Sequence, residues 1–226
     1  MLYSPPENIG LDILHLDELL IILNKPSGLL SVPGRGEDKR DSLMTRVQAE
    51  FPTALNIHRL DMDTSGIVIM SLNKRTQSKL SKLFQQRAIE KQYLATVSGK
   101  PEQQEGTIDL PLICDWPNRP RQIVDHATGK ASQTHYECCY YDELNDATQV
   151  LLTPLTGRTH QLRVHLQALG HPILGDNLYG SPEIYRQADR LLLHASKLAF
   201  THPATGENLL ITCPAPFPHQ ANHFTR

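Results

Sequence analysis

Apolar positions along this chain fall into short runs interrupted by turn-forming residues, and few of them keep the three-to-four spacing of a helix. Residues 11–23 are an apolar stretch split by Asp17-Glu18, which predicts two short strands joined by a turn and ended by Lys25-Pro26-Ser27-Gly28. The run Ile67-Val68-Ile69-Met70 predicts a buried strand, and residues 92–99 a further one rich in β-formers. Residues 134–141 and 148–154 flank a turn at 142–146, and residues 191–200 and 208–212 flank His202-Pro203-Ala204-Thr205-Gly206, so each pair predicts a hairpin. Helical spacing predicts one helix after Asp41-Ser42, running through Ala49 and stopped by Pro52. A second runs from Lys74 to about Arg87, capped by Asn73, and a third covers 161–169 and stops at Gly170-His171-Pro172. Residues 110–120 hold too many prolines for a helix and predict an ordered loop. Many strands, few helices and no βαβ alternation predict an α+β fold with a mixed, mainly antiparallel sheet core flanked by helices and loops.

No repeat, low-complexity segment or linker-like break divides the chain. The expectation is a flexible N-terminal lead-in at 1–10, a single catalytic domain at 11–218 and a C-terminal tail at 219–226. Charge narrows the function. A formal net charge of −2 excludes a protein that coats nucleic acid by bulk charge, yet leaves room for a local basic groove. The 74–87 helix carries Lys74, Arg75, Lys79, Lys82 and Arg87 on one face, for which a solvated surface and an RNA-backbone contact both stay open. Cys114, Cys138, Cys139 and Cys213 form no C-x-x-C pair, and neighbours on a strand face opposite ways, so reduced thiols are expected. No apolar run reaches membrane-spanning length and no secretory signature opens the chain, which points to the cytoplasm. The 11 histidines imply no metal: His160 and His165 are five apart, not four, and lack an acidic or cysteine partner at ligand spacing.

Candidate chemistry concentrates in His58-Arg59-Leu60-Asp61-Met62-Asp63-Thr64-Ser65-Gly66. A carboxylate on a small-residue turn that feeds a buried strand is held rigidly at the rim of a sheet, where a catalytic group is useful. A surface ion pair is the bland reading of Arg-x-Asp taken alone. The full stretch resembles the H-R-L-D-x-x-T-S-G signature of the RluA family of RNA pseudouridine synthases, whose aspartate is the essential catalytic residue. Further segments carry the same resemblance. They are Asn24-Lys25-Pro26-Ser27-Gly28-Leu29, Glu90-Lys91-Gln92-Tyr93, and Thr156-Gly157-Arg158-Thr159-His160-Gln161-Leu162-Arg163-Val164-His165. Matches extend from about residue 15 to 215, and the pattern is nearest the short members whose catalytic domain stands without an N-terminal S4 domain.

The resemblance implies Asp61 as the catalytic carboxylate, Tyr93 as the aromatic that stacks on the target base, and Arg163 as the arginine that pairs with the aspartate. It implies Arg59 as an aid to nucleotide flipping, with a salt bridge to Asp61 or Asp63 as the alternative. Asp63 is given no role, because the family pattern tolerates several residues there. Leu193 matches a position that packs on the base, though a core role is equally open. His58, Arg158, His160 and His165 are open to RNA contact or to bracing. Trp116, Arg119 and Arg121, in a stretch shared with that subgroup, are likewise open to RNA contact or loop packing.

The chemistry explains these residue types. Isomerising uridine breaks the N1–C1′ bond, turns the uracil and rejoins it through C5. No redox step is needed, so no cofactor and no metal is implied. Charge that develops at C1′ can be stabilised, attacked or exploited by an ionised carboxylate, which an arginine keeps charged and aimed. A base must leave its stack before chemistry, at roughly a few kcal/mol. The resemblance implies structured loops of both tRNA and large-subunit (23S) rRNA as substrates, and a monomer is expected because no apolar seam is left over. Two other readings compete: a non-catalytic RNA-binding or assembly module, and a nucleoside hydrolase. The first has no use for Asp61, Tyr93 and Arg163 together, and the second lacks a further carboxylate.

Overall fold

The computed structural model describes residues 3–218. In chain order the elements are β1 (Ile13–Leu16), β2 (Leu20–Lys25), α1 (Leu43–Glu50), β3 (Leu55–Asn56), β4 (Ser65–Ser71), α2 (Lys74–Gln85) and β5 (Glu90–Ser98). Then follow β6 (Glu105–Asp109), β7 (Leu112–Cys114), β8 (Gln122–Val124), β9 (Gln133–Asp142), β10 (Ala147–Pro154), α3 (Gln161–Ala168), α4 (Pro182–Arg186), β11 (Leu193–Thr201) and β12 (Asn208–Thr212). The fold class is the expected α+β with mixed, mainly antiparallel pairing. The described residues form two compact units: one of those up to Lys91 with His194–Pro214, the other of Gln92–Leu193 with the described residues from Ala215 on. Residues 1–2 of the expected lead-in and the whole of the expected 219–226 tail lie outside the described residues.

In the first unit β4 is the centre. All seven of its residues are buried, as a strand with neighbours on both sides and both faces covered requires. β2 pairs antiparallel to it along its length, β1 and β3 extend the antiparallel set, and β11 runs parallel to it through Ser65 and Gly66. That parallel contact explains Gly66. Its φ is +110°, and a Cβ there would meet the Ala195 carbonyl oxygen at 2.3 Å. α1 starts in a capping box between Ser42 and Thr45, and α2 starts at Asn73, whose side chain accepts the Thr76 N–H.

In the second unit β5, β10, β9 and β6 form an antiparallel array. Its core gathers Ala95, Val97, Val150 and Leu152 with Leu162 and Leu166 of α3, so the helix lays its apolar side on the sheet. The Cys138-Cys139 neighbours sit at a bulge: Val150 lies opposite Cys138 and Gln149 opposite Tyr140, which leaves Cys139 as the extra residue. All four thiols are free, as expected. One expectation fails. Part of the 110–120 segment is strand, because β7 pairs with β8 in a separate hairpin. Pro111 and Pro117 flank β7 and do not interrupt it, so its three residues keep their ladder.

Candidate active site

Asp61 lies on the loop that enters β4, half-buried, and the segment after β2 holds that loop in place. Lys25, at the end of β2, is fully buried. Its Nζ donates to the carbonyls of Pro26 at 2.9 Å, Leu29 at 2.6 Å and Met62 at 2.8 Å. The Met62 carbonyl also accepts the Gly28 N–H, Ser27 Oγ donates to the Asp63 carbonyl, and Ser31 Oγ donates to the Leu60 carbonyl while accepting the Leu60 N–H. The backbone carbonyls flanking Asp61 are therefore tied to residues 29 to 37 positions upstream. A buried ammonium needs such partners, and the loop gains a fixed shape from supplying them. The motif around Lys25 was visible in the sequence, but its clamp on the Asp61 loop was not.

The same unit fixes the loop's two ends. Ser65 Oγ lies 2.7 Å from Nδ1 of the buried His194, whose Nε2 lies 3.1 Å from the Cys213 carbonyl. At the other end the His58 ring stacks on Phe84 of α2, with centroids 4.6 Å apart, and its Nε2 accepts the Ile69 N–H. Burial, assisted by the nearby Lys91 ammonium, pushes the His58 pKa down to about 3. A neutral, stacked, acceptor-bonded imidazole has the geometry of the bracing alternative. Arg59 next to it is exposed.

The other expected residues belong to the second unit. Tyr93, on β5 opposite Leu152, is half-buried and packs on the same apolar cluster that contains Leu193. The structure thus brings Tyr93 and Leu193 together, and Leu193 is buried in that cluster, which suits the core reading. Arg158 is exposed, with its Nε donating to the Ala131 carbonyl at 3.3 Å and its backbone N–H to Gln161 Oε1. His165 is buried with Nδ1 against Thr134 Oγ1 and Nε2 against the Leu110 carbonyl, and burial lowers its pKa, as befits a brace.

Arg163 sits on α3 with only 2% exposure. Asp176, fully buried, takes its Nε on one oxygen at 2.7 Å and its Nη2 on the other at 2.6 Å, and Asn177 accepts a further Nη2 bond at 3.1 Å. Asp176 Oδ1 also accepts the Leu178 and Tyr179 N–H groups, both at 2.9 Å. A fork-to-carboxylate pair of this kind fixes the plane and direction of a guanidinium. Sequence reasoning missed Asp176. Its only signal was a lone acid after Gly175, thirteen residues from Arg163. Among the described residues no group of three or more His, Cys, Asp or Glu side chains has the arrangement to hold a metal, and no helix is long and apolar enough to cross a membrane.

Comparison with known proteins fits this geometry. The family model of the RNA pseudouridylate synthases matches residues 19–168. This chain belongs to the RNA pseudouridine synthase family. It is 54% identical over 215 residues to the dual-specificity RNA pseudouridine synthase RluA of Escherichia coli strain K12, covering 95% of this chain and 98% of that protein. The protein of the same name from Yersinia pestis is 52% identical over 205 residues, covering 91% of this chain and 99% of its own length. Among solved structures, human RNA pseudouridylate synthase domain containing 1 superposes with a TM-score of 0.79 at 30% identity, covering 95% of this chain and 87% of that one.

Proposed function

We propose that this chain isomerises specific uridines to pseudouridine in structured loops of both tRNA and large-subunit rRNA, as a cytoplasmic monomer, with Asp61 as the catalytic carboxylate. The observation that carries the proposal is the clamp on the Asp61 loop. Lys25, Ser27 and Ser31 hold the carbonyls of Leu60, Met62 and Asp63, so the carboxylate between them is presented by a rigid frame. The likeness to proteins named dual-specificity RluA over 95% of the chain supports the choice of two RNA classes.

The roles divide by chemistry. Arg59, exposed beside Asp61, takes the place of the extruded uridine or holds its flanking phosphate. Tyr93 offers a ring face to the uracil, backed by the apolar cluster in which Leu193 is buried, and Arg163 keeps the carboxylate ionised. Arg158 supplies an exposed cation for the RNA backbone, and His58 serves the substrate by holding the Asp61 loop. Addition of the carboxylate to C1′, addition to uracil C6 and removal of a C2′ proton all need it charged. Each ends with a new C5–C1′ bond and release of the C5 hydrogen to solvent, and no external reactant is consumed.

The test is tritium release from tRNA and rRNA labelled at uridine C5. Release by the wild type, lost in Asp61→Asn while RNA affinity stays within about tenfold, supports the assignment of chemistry to this carboxylate. Loss of affinity together with activity would overturn that division, and no release from either RNA pool by the wild type would overturn the function.

A further inference from the structure

The proposed function does not use the segment 114–121, yet the structure gives it a definite form. It is the tip of the β7–β8 hairpin, shaped by backbone bonds from Asn118 to Asp115, from Arg121 to Asn118 and from Asp115 to Arg121. Asn118 Nδ2 also donates to the Asp115 carboxylate, so the tip's acid is engaged within the turn. At this tip stands Trp116, the chain's only tryptophan, 65% exposed. The Arg119 guanidinium lies over its ring, 4.7 Å from the centroid. An indole left in water by an otherwise ordered hairpin contributes little to the fold, which removes loop packing as its reason for being there. With one face covered by a cation and most of its surface exposed, the ring offers a planar partner its other face.

The base of the hairpin is anchored. Leu112 of β7 packs with Val164 of α3 and with Tyr179, and Val124 of β8 joins that cluster. The Tyr179 hydroxyl accepts the Gln122 N–H at 2.8 Å and lies 2.7 Å from His160 Nδ1. Two guanidiniums lie over its ring, Arg121 of the tip at 5.5 Å and Arg163 at 5.2 Å from the centroid. Asp176 holds both the Tyr179 N–H and the Arg163 guanidinium. The tip therefore keeps a fixed position with respect to Arg163, within one unit of the protein.

We propose that the β7–β8 hairpin is a reading arm for the substrate RNA, in which Trp116 stacks on an unpaired nucleobase other than the target uridine and Arg119 completes the stack from the opposite face. This rests on the proposed function for its ligand and deepens it by naming a specificity contact. An unpaired base suits the surface because every base has a π-face, and a chain of net charge −2 has to draw RNA through local groups such as Arg119 and Arg121. Placing that contact at a fixed reach from Arg163 lets the arm measure which loop nucleotide arrives with the target.

A single tryptophan makes the test direct. Full-length Asp61→Asn is titrated with the three stem-loop arms of tRNA as separate synthetic RNAs, following indole emission beside filter binding. The expected result is saturable quenching by the arm that binds, with the same midpoint as filter binding. One abasic substitution outside the target position should abolish the quench and weaken binding by about 5- to 150-fold, the range of one base–aromatic stack. In the tritium assay Trp116→Ala should raise KM by a similar factor with kcat within about threefold, and Trp116→Phe should restore most of the loss. Unchanged emission at saturation, or a KM unaffected by Trp116→Ala, overturns the proposal. Absence of tritium release by the wild type overturns the proposed function instead, and the emission titration, which needs no turnover, still decides the arm.

Discussion

Asp176→Asn is nearly isosteric, yet it attacks the point on which the aim of Arg163 depends. The carboxylate receives Arg163 Nε on Oδ2, and Arg163 Nη2 with the Leu178 and Tyr179 N–H groups on Oδ1. An amide retains one acceptor oxygen. Turned to keep the larger set, it points its NH2 at the Arg163 Nε–H, donor against donor, and it no longer carries the charge that offset a guanidinium only 2% exposed. Breaking a buried ion pair by removing one partner costs about 3–5 kcal/mol. For a protein of this length that corresponds to a fall in Tm of about 6–20 °C. The check is urea and thermal unfolding of both proteins, with tritium release alongside. The exposed pair Arg40–Glu37 serves as a control, and Arg40→Ala should leave Tm unchanged within error. Activity at a temperature where the variant is folded should fall chiefly in kcat. A stability loss below about 1 kcal/mol would show that the pair is not the anchor its geometry indicates.

Gly66→Ala should prevent soluble folding or lower Tm by more than about 10 °C, because the added methyl meets backbone atoms of Ala195 that cannot yield. Lys25→Met leaves the Pro26, Leu29 and Met62 carbonyls without the ammonium. A loss of about 3–5 kcal/mol and faster hydrogen exchange at residues 60–64 are expected, with kcat falling more than RNA affinity. Stability should also decline as pH falls from about 6.5 toward 3, because the unfolded chain binds a proton at His58 that the folded imidazole, held at about 3, refuses. The slope from His58 is at most about 1.4 kcal/mol per pH unit. His165, depressed in the same direction, adds to that limb, and urea titrations across the window should show it flattened in His58→Gln.

Much of the fold was legible because its signals are local. Ser42 and Asn73 cap their helices with their own side chains, and the uninterrupted apolar run of β4 marks a strand buried on both sides. What escaped depends on partners. β6 has the sequence Glu-Gly-Thr-Ile-Asp, a poor strand by propensity, and it forms by pairing with β9, where Gly106 leaves room for the Tyr136 ring. β7 is three residues between prolines, and only its match to Gln122–Val124 makes it a strand. Asp176 and the clamp from Lys25 are contacts between groups 13 and 37 positions apart, which no local pattern encodes.

The motifs themselves mix two kinds of residue, and burial separates them. Lys25 stands in one motif and Arg59 in another, and as sequence both are basic residues suited to RNA. Lys25 has no exposure and spends its donors on backbone carbonyls, so its charge organises the protein and is not presented to a phosphate. Arg59 is exposed, one residue from the clamped Leu60 carbonyl, so its charge is available beside a backbone that is held in place. The same division holds for histidine and arginine in the later motif: His165 is bonded at both nitrogens, whereas Arg158 reaches the surface. On the proposed function, the exposed cations Arg59 and Arg158 are the ones offered to RNA, and Lys25 and His165 are holders of the backbone around them. Substitution of the holders should move kcat through the shape of the loop, and substitution of the exposed cations should move affinity and its dependence on salt.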